Sequence, residues 1–248
     1  MKNILIILTI VLLPAFEIYS QTAEEIITKA ENDIKGKTSQ ATIEMKITTP
    51  DYTRTLKMES WWVGNEKALI VTKAPAKEAG NKTLKIGNEM WSYLRNTETT
   101  IKIPPSMMLQ SWNGSDFTND DLVRESNLVK DYDAKIIGSE KIAGNECWKI
   151  ELDPKPDAPV VWGKIYYWVR KADYLPALQQ YYDEKGKMVR YLTYTDIKDF
   201  HGKVLPSEWI MHNVAKKNHS TEIKLDDIHF NINIPNRIFS YEELERGN

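Results

Sequence analysis

The chain has 248 residues, of which 27% are charged and 42% hydrophobic, and its formal net charge at pH 7 is -2. These values are ordinary for a globular protein, and the balance lacks the basic surface that nucleic-acid binding usually needs. Lysines and acidic residues are interspersed, so a polybasic membrane-binding patch is not evident either. We therefore expect no nucleic-acid partner.

The first twenty residues have the pattern of an export signal. Lys2 precedes the apolar run "ILIILTIVLLPAF", which is too short for a comfortable transmembrane helix, and the small residue Ser20 precedes Gln21. We predict a signal peptide over residues 1–20 and one mature, soluble domain over residues 21–248. A retained membrane anchor is the alternative.

One amphipathic helix is predicted to open the mature chain. Thr22 and Glu25 form a capping-box pattern, apolar residues then recur at helical spacing, and Gly36 marks the end. Beyond it the chain alternates with period two, and Gly, Asn and Asp turns separate roughly ten or eleven short strands. The sequence thus predicts a mainly β (α+β) protein built on an antiparallel meander, not a parallel nucleotide-binding fold.

The segment "SMMLQSWNGSDFTNDDL" interrupts the strands with a loop that contains a short helix. Because an antiparallel sheet must cover its apolar face, it can close into a barrel or curl around helices, and we predict a strongly curved sheet. The N-terminal helix and this segment would fill the opening. Met107, Met108 and Leu109 are the predicted lid, since methionine repacks easily around varied partners. The alternative is that the two methionines fill the core permanently.

Four stretches resemble the periplasmic lipoprotein carrier LolA and the wider family of outer-membrane lipoprotein-sorting proteins. They are "MESWWVGNEKALIVTKAPAKEAGNKTL", "IGNEMWSYLRNTETTIKIPP", "GSDFTNDDL" and "FNINIPNRIFSYEEL". They follow the family order over nearly the whole mature chain. The resemblance implies an incomplete, strongly curved barrel with helices in its opening, and an apolar cavity that carries lipoprotein acyl chains across the periplasm.

The function expected from this resemblance is a non-enzymatic periplasmic carrier or chaperone. It would bind acyl chains of lipoproteins or other apolar cargo for transfer toward the outer membrane, with an inner-membrane transporter and an outer-membrane acceptor as further partners. The alternative is an envelope interaction module that docks on a membrane transporter or exporter without carrying lipid. Alternation along the first strands selects the expected cavity residues, namely Ile43, Met45, Ile47, Leu56, Met58 and Trp62.

The sequence offers little that suggests catalysis. It has no H-E-x-x-H, G-x-S-x-G, Walker or dinucleotide-binding motif. Asp199 with His201, and Asp227 with His229, each have the spacing of half a metal site, but the sequence fixes no third ligand. Exposed turn or strand positions are the alternative. Cys147, the only cysteine, lacks a local base and a disulfide partner. We expect no enzymatic activity, no cofactor and no metal.

Overall fold

The computed structural model describes residues 21–124 and 128–246, so the predicted signal peptide over residues 1–20 lies outside the described residues. The helices in this part are α1 (Ala23–Lys35), α2 (Asn119–Arg124), α3 (Leu128–Asp131) and α4 (Tyr241–Glu245). The strands are β1 (Thr38–Thr48), β2 (Thr53–Val63), β3 (Lys67–Ala74), β4 (Lys82–Ile86), β5 (Glu89–Leu94), β6 (Thr99–Lys102), β7 (Tyr132–Ile142), β8 (Asn145–Pro154), β9 (Lys164–Arg170), β10 (Pro176–Tyr182), β11 (Met188–Phe200), β12 (Lys203–Asn213) and β13 (Ser220–Phe230).

All of these strands belong to one antiparallel sheet. Its order is β6-β5-β4-β3-β2-β1-β13-β12-β11-β10-β9-β8-β7, so the first and last strands meet in the middle. We call the pairing of β1 with β13 the seam; it runs from Ser39 opposite Phe230 to Thr48 opposite Ser220. The prediction of a mainly β protein with an antiparallel meander is confirmed. The described part has 13 strands instead of the roughly ten or eleven expected, since strands of four or five residues, such as β6 and β4, are too short to show clear alternation.

Helix α1 begins and ends as its capping residues predict. The Thr22 N–H donates to Glu25 Oε2 at 3.0 Å, and the Glu25 N–H donates to Thr22 Oγ1 at 3.2 Å. Gly36 ends the helix with φ 65°, and a Cβ at this position would lie 2.8 Å from the Phe230 ring. The apolar side of α1 packs into the main core. Among the described residues, no helix is both long and apolar enough to span a bilayer.

Residues 104–124 form a compact segment, called the cover segment below. It contains two 3-10 turns followed by α2. Its own hydrogen bonds hold it together: the Trp112 N–H donates to the Phe117 carbonyl at 2.8 Å, and the Asp120 N–H donates to the Met108 carbonyl at 2.8 Å. The predicted short helix in this region is therefore confirmed as α2.

Candidate functional site

An apolar cavity lies between α1, the cover segment and one face of the sheet. Its volume is about 200 Å³. Its walls come from β1–β3 on one side of the seam and from β9–β13 on the other, and they are mainly aliphatic and aromatic, with Ile70, Leu192, Trp209 and Ile223 among them. Cavities of this kind bind ligands chiefly by removing apolar surface from water.

Small side chains at the seam leave this space open. Ile228, Ala41, Ser60 and Ile70 lie directly opposite one another on β13, β1, β2 and β3, and all four line the cavity. The two central members of this row are alanine and serine, so neither reaches far from the sheet. Across this row, the short side chains of Ala41 and Ser60 lie between the longer side chains of Ile228 and Ile70, and the cavity occupies the space that they leave.

A β-bulge in β13 decides which of its residues face the cavity. Ile43 lies opposite Leu225 and Thr42 lies opposite Asp227, which leaves Asp226 as an extra residue. Without it, the alternation that brings Leu225 inward would also turn Asp227 inward. The bulge instead brings Ile228 to the cavity wall and leaves Asp227 on the opposite face, as such irregularities commonly do.

Three apolar side chains of the cover segment close one side of the cavity, namely Trp112, Phe117 and Leu122. Trp112 is buried, and its indole Nε1–H donates to Thr83 Oγ1 at 3.1 Å. A buried indole needs such a partner, because an unpaired N–H would lose its hydrogen bond to water. The cover segment therefore presents large aromatic side chains to the cavity, and a hydrogen bond to the sheet orients one of them, Trp112.

A buried ion pair holds α2 beside the cavity. Arg190 of β11 binds Asp121 with both terminal nitrogens, and its Nη1 lies 2.7 Å from Asp121 Oδ2. Both side chains are at most 5% exposed. The guanidinium also lies 4.5 Å from the ring centroids of Trp162 and Tyr181, and it donates to the Asp116 carbonyl at 3.3 Å. Because neither charge could be buried alone, the pair fixes the position of α2.

Two further polar contacts attach the cover segment to the sheet. The Asp116 N–H donates to Thr221 Oγ1 at 2.8 Å, and the Thr221 hydroxyl donates to Asp116 Oδ2 at 3.0 Å. Arg54 of β2 donates to the Asn113 carbonyl and pairs with Glu78 at 3.3 Å. The cover segment is thus attached to strands on both sides of the seam.

A polar cluster around Gln179 lies in the mainly apolar wall, whose other polar residues are Glu31, Ser39, Ser60 and Asp121. Gln179 is only 3% exposed, and its Oε1 accepts hydrogen bonds from the Tyr181 hydroxyl at 2.7 Å and the Tyr194 hydroxyl at 3.1 Å. A few polar groups in an apolar cavity can orient a ligand that has one polar end.

The six strand residues predicted for the cavity lie at two depths. Ile43 and Trp62 line the cavity. The other four are 0–1% exposed, belong to the main core and are not among the lining residues; they are Met45, Ile47, Leu56 and Met58.

The predicted lid residues are divided in a similar way. Met108 is buried, Met107 is half-buried against the core, and Leu109 is 54% exposed. The apolar cover residues that reach the cavity are Trp112, Phe117 and Leu122, which sequence reasoning did not select. The sequence did hold a clue to these residues, because the large apolar side chains Trp112 and Phe117 lie in the same loop as the two methionines.

The groups considered for chemistry lie away from the cavity. Cys147 is fully buried in a separate cluster, and burial raises the pKa of its thiol above the ordinary value. A raised pKa reduces the thiolate that a nucleophile or metal ligand needs. Within the described ranges, the group whose ligand atoms could hold a metal is His201, Asp227 and His229, and none of these residues lines the cavity.

Three solved structures share this fold. A DUF1329 family protein from Desulfovibrio piger has a TM-score of 0.82 at 21% identity, over 90% of this chain and 97% of that chain. A domain from Vibrio parahaemolyticus assigned to outer-membrane lipoprotein sorting has a TM-score of 0.79 at 23% identity, over 90% and 98%. A LolA superfamily protein from Nitrosomonas europaea has a TM-score of 0.76 at 21% identity, over 90% and 100%.

No curated protein sequence matches the chain. Residues 64–246 match a protein-family model whose description reads "-like: Uncharacterized protein". The chain therefore belongs to the family of that model, and it has the fold of LolA superfamily proteins and outer-membrane lipoprotein-sorting domains.

Proposed function

We propose that this protein is a non-enzymatic periplasmic carrier or chaperone for the acyl chains of lipoproteins or for other apolar cargo. The observation that carries the proposal is the apolar cavity of about 200 Å³ at the seam. Its cargo would move toward the outer membrane, received from an inner-membrane transporter and passed to an outer-membrane acceptor. Residues 1–20 would direct export, and residues 21–248 would form the mature single domain.

The proposed architecture is an incomplete barrel made by a strongly curved sheet. Support comes from the cavity walls, since β1–β3 and β9–β13 contribute side chains to the same space. Strands β6 and β7 are the two ends of the sheet order, so the sheet stays open in hydrogen bonding. Helix α1 and the cover segment would fill the opening between the two halves.

The size of the cavity argues that the cover must move when a long chain enters. An apolar cavity of roughly 150 Å³ binds a benzene molecule, so about 200 Å³ accepts only part of a long acyl chain. Each methylene that leaves water contributes about 0.8 kcal/mol, so a long chain gains affinity by entering further. We propose that Met107, Met108 and Leu109 belong to a lid that shifts with Trp112 and Phe117.

Cargo content is the direct test of the carrier function. Protein isolated from its own periplasm is examined by native mass spectrometry, and bound molecules are extracted and identified. We expect bound species with long acyl chains, and titration of the emptied protein with a fluorescent fatty acid should saturate. Protein that is isolated empty and shows no saturable fatty-acid binding would refute the carrier function and favour the interaction module.

The lid is tested by a reversible crosslink. Asp116→Cys and Thr221→Cys, in a Cys147→Ala background, place two thiols where side chains and backbone already contact each other. The oxidised crosslink should block fatty-acid uptake, and reduction should restore it. The control is the same protein with Asp116→Cys alone. Equal uptake rates in the oxidised and reduced protein would contradict the lid and leave the methionines as core filler.

The two methionines are tested by Met107→Ser with Met108→Ser. If they belong to a lid, the double variant should alter the rate of fatty-acid uptake with a small loss of stability. If they only fill the core, it should lose a few kcal/mol of unfolding free energy, as large-to-small and polar substitutions in cores do. Ile101→Ser is the control, because Ile101 is 41% exposed on β6 and lies outside the cover segment.

A further inference from the structure

The face of the sheet opposite the cavity carries a cluster of two histidines and one aspartate near the seam. Asp227 and His229 are two residues apart on β13, so they point to the same face. His201 lies in the turn between β11 and β12. The potential ligand atoms of these three residues all lie within 4.8 Å of one another.

Two local features of the chain bring these residues together. The bulge at Asp226 turns Asp227 and His229 away from the cavity. His201 and Gly202 form the two central residues of a tight hairpin turn, with φ values of 56° and 87°. Asp199 accepts the Gly202 N–H at 2.9 Å, which fixes the turn. Positive φ at both central positions is typical of the type I′ turns that join twisted strands.

The distances are close to those of a metal site, and rotation of the two stacked imidazole rings would let both Nε2 atoms face one ion. His201 Nε2 lies 2.8 Å from Asp227 Oδ1, and His229 Nε2 lies 3.1 Å from Asp227 Oδ2. The two imidazole rings are stacked, with centroids 4.3 Å apart and planes 20° from parallel. A tetrahedral zinc ion with ligands at about 2.0–2.2 Å separates its ligand atoms by roughly 3.3 Å. The nitrogen-to-oxygen distances are already close to that value.

We propose that His201, Asp227 and His229 form a surface site for a divalent transition metal ion of the zinc type. Two imidazoles and one carboxylate are suitable ligands for Zn²⁺, Cu²⁺ and Ni²⁺, whereas Mg²⁺ and Ca²⁺ prefer oxygen ligands only. The three side chains are 47–56% exposed, which leaves room for water or a partner's side chain at the fourth position. The site would join the β11–β12 turn to β13 and does not depend on the proposed carrier function.

The site is tested with untagged mature protein and Zn²⁺ alone. Calorimetric titration should show one saturable site, and Co²⁺ should give the visible absorption of a tetrahedral complex. Mg²⁺ and Ca²⁺ should not compete. Zn²⁺ should also raise the melting temperature, because a ligand that binds only the folded state stabilises it.

Variants decide whether the binding belongs to these residues. His201→Asn keeps a residue suited to positive φ, so the turn should persist while a ligand is lost. His201→Asn and His229→Gln should each weaken Zn²⁺ binding by about tenfold or more, and together they should abolish the cobalt spectrum. His219→Asn is the control, because His219 lies outside the cluster.

Each outcome supports or overturns the site. Loss of binding in the two ligand variants, with their melting temperature in chelator unchanged, supports it. Absence of a saturable Zn²⁺ site in the folded parent protein, or equal affinity in the parent and the double variant, overturns it. In either of those cases the three side chains form only a hydrogen-bonded surface cluster.

Discussion

Filling the cavity should stabilise this protein and abolish cargo binding. Ala41 lies on β1 between Ile228 of β13 and Ser60 of β2, and its short side chain lines the cavity. Ala41→Leu adds three carbon atoms to that space. At about 0.8 kcal/mol for each buried methylene, the gain is at most about 2.4 kcal/mol, and imperfect fit reduces it to about 1–2 kcal/mol.

The cavity volume also predicts that a side chain filling this space should raise the free energy of unfolding. An unfilled apolar cavity costs about 24 cal/mol per Å³, so about 200 Å³ costs up to about 5 kcal/mol. That is a large fraction of the roughly 5–15 kcal/mol by which domains are stable. Ala177→Leu is the matched control. Ala177 is 7% exposed in a separate cluster with Cys147 and Trp168, so a larger side chain there should overpack and destabilise by about 1–3 kcal/mol.

Urea unfolding, monitored by circular dichroism, measures the free energy of unfolding of each variant. Titration with a fluorescent fatty acid measures the affinity of each variant for cargo. We expect Ala41→Leu to unfold at higher urea and to lose binding, and Ala177→Leu to unfold at lower urea with its binding intact. If both variants lose the same free energy of unfolding, the leucine at position 41 does not fit into the cavity, and the prediction is wrong. If Ala41→Leu is stabilised but binds as the parent does, cargo does not occupy this cavity.

Three further predictions concern polar and titrating groups. Asp121→Asn leaves the buried Arg190 charge without a full counter-charge, so the free energy of unfolding should fall by about 3 kcal/mol or more; a loss below 1 kcal/mol in urea unfolding would contradict the importance of the pair. Cys147 should react with a thiol reagent only after unfolding, since its thiol is buried and its pKa is raised by burial; rapid labelling of the native protein would refute this. Burial also lowers the pKa of His212 below its ordinary value of 6.5, so the unfolded chain binds this proton more readily. The stability present above pH 6.5 should therefore decline as the pH falls below it, and less steeply in His212→Phe, which keeps an aromatic ring on Tyr191; identical pH profiles would contradict the assignment.

Local signals were sufficient for the main elements of the fold. The capping box at Thr22 and Glu25 and the glycine at position 36 define α1, because these residues satisfy the helix ends through contacts three or four positions away. Long alternating strands such as β1 and β13 were equally clear. The short strands were not: β4 has the sequence "KTLKI", and its lysines are buried, contrary to the usual preference of that residue.

The position of the cavity could be predicted only in part. Of the residues that strand alternation suggested, Ile43 and Trp62 line the cavity, while Met45 and Met58 lie deeper in the core. Alternation gives the face on which a residue lies but not its position along the sheet. The bulge at Asp226 also changes which residues of β13 face the cavity, and no glycine or proline in the strand marks its position. The cavity wall contributed by β13 therefore depends on pairing between distant parts of the chain.

The metal-ligand cluster shows the same dependence on distant pairing. Asp227 and His229 are close in sequence, but His201 joins them only because the β11–β12 turn lies next to β13. A single sequence offers no way to choose this histidine over His219 or His212.

The seam also determines the order in which the parts of the sheet can fold. The Thr38 hydroxyl donates to the Ile232 carbonyl at 2.7 Å across 194 positions of sequence, so β1 is made early and its partner is made last. Until β13 is synthesised, β1 has an unpaired edge that is open to unwanted association. Closing so long a loop is slow compared with forming the hairpins on either side. The hairpins can therefore form first as two separate halves, and only a chain that has been completed through Phe230 possesses the cavity.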